Sequence, residues 1–412
     1  VSSNDNDVVV TGIGATTPLG GDVATTWAGL LEGRSGVATF DDWDDSNPVR
    51  FGGRMAVDPF GELPRAKARR MDRVQQAALV AMTEAWADAG FTGATQDNGL
   101  DPERVAVSVG TGIGGVTSLI DQHSLILERG ASKVSPMLIP MDMPNGPAAY
   151  ISLEINARAG AFTPVSACAT GGEALGLALD LLQLGRADLV VAGGAEACML
   201  PLTFAGFAQM RAMSTRNDEP QRASRPFDKG RDGFVMGEGA GIFVLERRAT
   251  AAARGARIYA VLAGSGITSD GYHITTPDPE GTGQGRAMRT AIERSGLTPA
   301  DVVHVNAHAT STPAGDMGEI RGIARLLGEQ TVVTAPKSMM GHLIGGAGAV
   351  ESIATVLSVL NDVVPPTINL EDPDDDLCVD VPREARHMPV PAAINNSFGF
   401  GGHNASVLFR KV

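Results

Sequence analysis

The stretch PVSACATGGEALGLALDLLQLGRADLVVAGG, residues 164–194, runs from a small-residue strand ending through a helix-forming segment to an apolar strand that stops at paired glycines. Within it Leu175, Ala178, Leu179 and Leu182 follow the i, i+3, i+4, i+7 spacing of a helix with one buried face. The same spacing returns at Val350, Ile353, Ala354 and Leu357, a register offset of 175 residues (350 minus 175). Carried through that offset, Cys168 maps to position 343, beside His342, so each helix opens with a reactive residue. The chain reads as two related halves.

Working outward, short apolar runs recur at 8–14, 105–112, 188–194, 242–246, 302–308 and 331–337, the first three ending in glycine, with helical patterns between them. That alternation predicts an α/β fold with buried, mostly parallel strands. Strand-like openings at 8–14 and 257–267 begin the two halves, and the boundary falls near residue 255, giving 1–255 and 256–412. Segments 41–65 and 115–150 read as insertions that lengthen the first half. No proline- or serine-rich linker separates the halves, which predicts one shared core. Segments 214–233 and 365–391, rich in charge and proline, read as irregular surface loops.

Composition narrows the function classes. A chain of 412 residues with a 43% hydrophobic fraction can bury a large core. Three unpaired-looking cysteines, Cys168, Cys198 and Cys378, argue against a disulfide framework and for a reducing, cytoplasmic setting. The amino end has no basic patch followed by an apolar core, and no 18-residue apolar stretch without a polar break is found, so neither export nor membrane spanning is expected. A net charge of −14 disfavours nucleic acid and anionic lipid as partners. Against it stands a local basic cluster, Arg65, Lys67, Arg69, Arg70 and Arg73, with Arg129, Lys133 and Arg211 elsewhere, which reads as a docking patch for an acidic partner.

Cys168 carries the chemistry in this reading. A thiol at a helix mouth faces unpaired N–H groups and the positive helix end, both of which favour the thiolate nucleophile. Cys198 and Cys378 lack that setting and read as structural. His304 and His308 lie four apart in VVHVNAH, which alternates like a strand; four residues there span roughly 13 Å, too far for one metal. His304 is therefore assigned to structure and His308 to function. Thr310, Ser311 and Thr312 follow as hydroxyls suited to a polar, chain-like ligand. GTGIGG at 110–115 fits a dinucleotide fingerprint and makes a nicotinamide-dependent oxidoreductase the formal rival, but no strand ending in a ribose-binding acid follows. Gly112 and Ile113 read instead as a turn lining an apolar cavity. Lys337 and Glu351 flank His342 in an otherwise apolar setting and need partners there. Phe398 and Phe400 sit among three glycines in NNSFGFGGHN, a loop able to swing an aromatic ring or simply to turn.

Taken together, SACATGG, NAHATSTP, KSMMGH and NNSFGFGGHN resemble the β-ketoacyl-acyl carrier protein synthases, and most closely the elongating synthase II type of bacterial, actinobacterial-like fatty-acid synthesis. The similarity runs nearly end to end. It implies a thiolase-like fold, two duplicated αβαβα layered halves, in a homodimer. It implies Cys168 as the acyl-accepting nucleophile, with His308 and His342 stabilising the enolate oxygen as malonyl-carrier protein decarboxylates. Lys337 and Glu351 then support His342, Phe400 gates the site, and the N–H groups of Cys168 and Phe400 form an oxyanion hole. Thr310 and Thr312 resemble hydroxyls that hold the pantetheine arm, Ile113 and Phe207 acyl-pocket lining, and Arg65 to Arg70 the face that docks an acidic acyl carrier protein. No cofactor and no catalytic metal are implied; a structural monovalent cation near Asn306, Glu319 and Glu351 is. Ala309 and Met340 depart from the family pattern, and Met340 is expected to narrow the pantetheine channel. A degradative thiolase would need a second catalytic cysteine, and a non-condensing partner subunit would lack the nucleophile. A specialised natural-product paralogue, for polyketide-type condensation or antibiotic tolerance, stays open.

Overall fold

The computed structural model describes residues 5–412. Its ten main strands are Val8–Thr16 (β1), Val105–Gly110 (β2), Ala161–Phe162 (β3), Leu189–Glu196 (β4), Gly239–Arg247 (β5), Ala260–Ser269 (β6), His304–Asn306 (β7), Val332–Thr334 (β8), Ala392–Gly399 (β9) and His403–Arg410 (β10). They form one sheet in the order β8-β7-β9-β10-β6-β1-β5-β4-β2-β3. Each half thus has its strands in the same spatial order: third, second, fourth, fifth, first. The two copies meet where β1 and β6 pair antiparallel, from Val8 with Leu262 to Val10 with Ala260.

The expected mostly parallel sheet is corrected to a mixed one. β2 runs parallel to β3 and β4, and β7 to β8 and β9, while the five pairings between β4 and β9 through the middle of the sheet are antiparallel. The cause is local in the second half: β9 turns straight into β10 through residues 400–402, and so tight a connection can only join antiparallel strands. β9 itself hides in sequence, because NNS at its centre is polar although every one of these residues is buried.

Glycine sets the spacing between sheet and outer helices identically in both halves. A Cβ on Gly12 or Gly14 of β1 would collide with the carbonyl oxygens of Ala85 and Ala81 in helix Arg73–Asp88 (α1). On β6, Gly264 and Gly266 stand in the same relation to Ala291 and Ala287 of Thr282–Ser295. Between the two halves of the sheet lie Thr170–Gln183 (α3) and Ala347–Asn361 (α6), each touching strands of both. With Gly146–Ile155 (α2), Thr282–Ser295 (α4) and Pro313–Leu327 (α5) on the outer faces, the layers read αβαβα.

The duplication reaches the turns that open α3 and α6. Each helix is preceded by a tight turn, Ala167–Ala169 and Ile344–Gly346, whose first residue has left-handed backbone: Ala167 at φ 50° and Ile344 at φ 45°. The structural offset is therefore 177 residues (344 minus 167), two more than the apolar spacing gives. Cys168 corresponds to Gly345, and His342 lies in the loop before the turn rather than at the helix mouth. The helices cross at their first turns, where a Cβ on Gly171 would meet Ala349 N and one on Gly348 would meet Gly172 N. Helix α6 is so thoroughly interior that its apolar run, Ile344–Asn361, is long enough to cross a membrane yet lies almost wholly within the core.

Segment 214–233 is not the surface loop its composition implies. Arg225 and Asp228 pair at 2.9 Å, and Arg231 bonds Asp374 at 2.8 Å and the carbonyl of Pro313, so the charges are buried in mutual contact. Within 365–391, Thr367 and Leu370 are likewise buried.

Candidate active site

The turn that presents Cys168 is held under strain. Ser166 N donates to Thr170 Oγ1 at 3.0 Å, and that hydroxyl donates to Ala167 O at 2.7 Å, closing a loop that keeps the non-glycine Ala167 left-handed. Gly399 lies so close that a Cβ there would meet Ser166 O and Cys168 N. The backbone N–H groups of Phe400 and Cys168 lie on the side of the sulfur and favour its thiolate. The thiolate expected at this helix mouth does not form at rest. Burial pushes the Cys168 thiol up to about 12, outweighing the opposing pull of Lys337 and the two N–H groups. A helix terminus is worth about 0.3–2 kcal/mol, on the order of one pKa unit, and desolvation exceeds it here.

His308 and His342 converge on the same cavity as Cys168, their rings 5.2 Å apart and nearly perpendicular. β7 ends at Asn306, two residues short of the expected strand, so His308 lies in the loop beyond it while His304 stays in the sheet. Glu319 of α5 fixes that loop, accepting from His308 N at 2.9 Å and Ala309 N at 2.8 Å, with Asn396 Nδ2 on the same carboxylate. His304 bonds Thr334 Oγ1 at 2.8 Å and takes no part in the cavity. His342 is placed by its backbone, donating to Val235 O at 2.6 Å and accepting from Gly237 N at 2.8 Å. Burial, and then the positive charge of Lys337, holds both cavity imidazoles well below the usual histidine range. Both are neutral, each with one N–H to donate as a hydrogen bond and without the acidic proton of an imidazolium.

Lys337 and Glu351 lie behind the cavity rather than on its wall. They form a buried ion pair at 2.7 Å; burial pushes the Glu351 carboxyl up to about 7 against the pull of Lys337. The cavity has a volume of about 520 Å³. Gly112, Ile113, Phe207, Phe398 and Phe400 line it, as do Thr310 and Thr312, whose hydroxyls bond each other at 3.0 Å. Phe400 heads a turn in which Gly401 and Gly402 both have positive φ, 87° and 74°. Its ring lies 6.3 Å from Phe207, which leads through Phe234 at 5.3 Å to His342 at 5.7 Å.

Of the basic set only Arg211 lines the cavity. Arg65, Arg69, Arg70, Arg129 and Lys133 are exposed and form no ion pair among the described residues, whereas Lys67 pairs with Glu154 and Arg73 with Glu238 and Asp58. Met340 is a correction: it packs with Leu19, Leu30 and Leu343 in a dry cluster away from the cavity, because the short helix Lys337–Met340 turns it inward. Ala309, by contrast, is on the cavity wall. Sequence reading missed Glu196. Fully buried at the end of β4, it accepts from Thr111 Oγ1 at 2.8 Å, Gly112 N at 2.9 Å and Gly345 N at 3.2 Å, tying the cavity turn to the loop that follows His342. Its only signal was a charge in the apolar run AGGAEAC.

Residues 5–251 match the family described as Beta-ketoacyl synthase, N-terminal domain, and 259–371 its C-terminal domain. The chain belongs to the beta-ketoacyl synthase family. This synthase is 46% identical over 410 residues to the 3-oxoacyl-[acyl-carrier-protein] synthase 2 of Synechocystis sp., covering 98% of each chain. It is also 46% identical to that of Mycobacterium tuberculosis, covering 98% of this chain and 96% of the other. Among solved structures it is similar to a beta-ketoacyl synthase from Burkholderia phymatum, with 38% identity and a TM-score of 0.91 over 98% of this chain and 99% of that one. A ketosynthase in complex with its type II polyketide acyl-carrier protein and bound to a hexaketide is 30% identical at a TM-score of 0.91, covering 98% and 99%. These neighbours share the thiolase-like architecture.

Proposed function

We propose that this synthase condenses an acyl chain held on Cys168 with malonyl-acyl carrier protein, releasing 3-ketoacyl-acyl carrier protein in fatty-acid elongation. The observation that carries the reading is that Cys168, His308 and His342 line one cavity. In the first half-reaction the Cys168 sulfur attacks the acyl thioester, its proton passing to the departing pantetheine thiolate, while the N–H groups of Cys168 and Phe400 hold the oxyanion. In the second, the C–CO₂ bond of the malonyl unit breaks, and neutral His308 and His342 donate to the enolate oxygen. The enolate carbon then attacks the acyl carbonyl, and the Cys168 thiolate leaves and recovers a proton. Two neutral donors suit this step, since a positive imidazole in so dry a site would be costly. Oxyanion donors of this kind are worth about 3 kcal/mol each, about a hundredfold in rate.

The acidic carrier protein is proposed to dock on Arg65, Arg69 and Arg70, exposed and without an ion pair among the described residues, with Arg211 at the cavity wall and Arg129 and Lys133 contributing charge. Exposed Leu127, Ile139 and Leu153 offer apolar surface for a homodimer. A structural monovalent cation fits the second half. Asn306 and Asn395 face each other in register on β7 and β9, and the side-chain Oδ1 of each lacks a partner among the described residues. With Glu351 and Glu319 nearby, these oxygens would hold such a cation and neutralise buried charge.

The test is mass spectrometry of protein mixed with acyl- and malonyl-carrier protein. Wild type is expected to gain the acyl mass and release the elongated product. Cys168→Ala is expected to gain none while unfolding at the wild-type temperature. Acylation that persists in Cys168→Ala would sink the assignment.

A further inference from the structure

The cavity wall carries polar side chains that the condensation leaves unused. Most satisfy one another: Thr310 bonds Thr312, and Asn404 Nδ2 donates to Asp270 Oδ1 at 2.6 Å. Gln284 does not. It is 2% exposed, it lines the cavity, and its Oε1 is without a hydrogen-bond partner among the described residues. Apart from the two catalytic histidines, no other lining residue has an orphaned buried side-chain atom among the described residues.

The local fold holds Gln284 in place. It lies in the first turn of α4, after Gly281 in left-handed backbone, and a Cβ at Gly281 would stand 3.2 Å from its Oε1. Gly283 beside it packs against Asp270 and Asn404, and its carbonyl accepts from Thr268 Oγ1 at 2.8 Å. A buried acceptor left unmatched is strongly disfavoured, and native proteins keep few of them without a protein, water or ligand partner. A primary carboxamide offers one acceptor and two donors. Its complement is a secondary amide, whose N–H and C=O it can engage together.

We propose that Gln284 is a specificity-determining residue that pairs with a secondary amide of the pantetheine arm as the arm threads the cavity. This rests on the reading that substrates arrive as pantetheine thioesters. Gln284 then reads the backbone of the arm, independently of the acyl cargo, and favours pantetheine over thiols lacking an amide at that depth.

The experiment compares malonyl-pantetheine with two analogues in which one or other amide is replaced by an ester, measuring kcat/KM for wild type and Gln284→Met, a substitution of similar volume. Wild type is expected to lose about tenfold with one ester analogue and much less with the other. Gln284→Met is expected to lose about tenfold with the parent and nothing further with the sensitive analogue. Gln284→Glu, which keeps the acceptor oxygen, is expected to keep the discrimination and serves if the methionine variant does not fold. An ester penalty of equal size in wild type and Gln284→Met, no penalty at either position in wild type, or discrimination lost in Gln284→Glu would overturn the proposal. Failure of wild type to condense any pantetheine thioester would instead refute the underlying reading.

Discussion

Replacing Lys337 by methionine separates two duties of one buried charge. Lys337 Nζ sits 2.7 Å from the Glu351 carboxylate, and both side chains are 1% exposed. Removing one member of such a pair strands the other, at a cost of about 3–5 kcal/mol. The Glu351 carboxyl, already pushed up to about 7, can take a proton and keep the loss toward the lower bound near neutral pH. The second duty is electrostatic: the Lys337 charge favours the Cys168 thiolate, so without it the thiol rises further. Below the thiol's pKa, each unit of that rise lowers the thiolate fraction about tenfold, only partly offset by the higher nucleophilicity of the more basic thiolate. The assay pairs urea unfolding, followed by fluorescence, with iodoacetamide labelling of Cys168 followed by mass. Lys337→Met is expected to lose about 3–5 kcal/mol and to label slowly. Lys337→Met with Glu351→Met, an apolar replacement of the pair, is expected to recover most of the stability yet still label slowly. A single variant that loses under about 1 kcal/mol, or a double variant that labels at the wild-type rate, refutes this account.

Three further outcomes follow from other residues. Burial raises the Glu196 carboxyl from its ordinary 4.5 to about 7, so its folded form holds a proton that the unfolded chain releases first. Its contribution is full below pH 4.5 and is lost as pH rises to about 7; the stability advantage of wild type over Glu196→Gln should therefore shrink across that window in chemical denaturation. Met340→Thr is expected to cost about 2–4 kcal/mol in thermal or urea unfolding and to leave the acyl-chain range unchanged, because the side chain packs with Leu19 and Leu343 and not on the cavity. Reversing Arg69 and Arg70 to glutamate should raise KM for carrier-bound substrates at low salt while sparing small acyl thioesters, measured as initial rates.

The reactive residues were legible because each breaks its own surroundings. Cys168 stands among alanine and glycine, and His342 among methionine and glycine, where ordinary packing gives no reason for them. The duplication was legible from the 3.6-residue period of α3 and α6, but its register slipped by two. Apolar spacing fixes only which face is buried, whereas the turn geometry at Ala167 and Ile344 fixes where the helix begins. Strand direction was not legible, since a buried parallel strand and a buried antiparallel one present the same apolar run. The protonation of Cys168 was missed because helix-end polarity can be inferred from a local string, while burial depends on distant segments such as Gly399 and Phe400. Glu196 and Gln284 escaped for the same reason: each bonds to, or lies among, residues far away in the chain.

Gly345 occupies in the second half the place that Cys168 holds in the first. A side chain there would run into Gly112 N and the Glu196 carboxylate. Having emptied that mirror position, the molecule filled it with the very contact that draws the two copies together. A lone fragment of either half would possess only part of the machinery, the sulfur on one piece and both imidazoles on the other. The scaffold is repeated, but the reacting groups are divided between the two copies, so the cavity needs both.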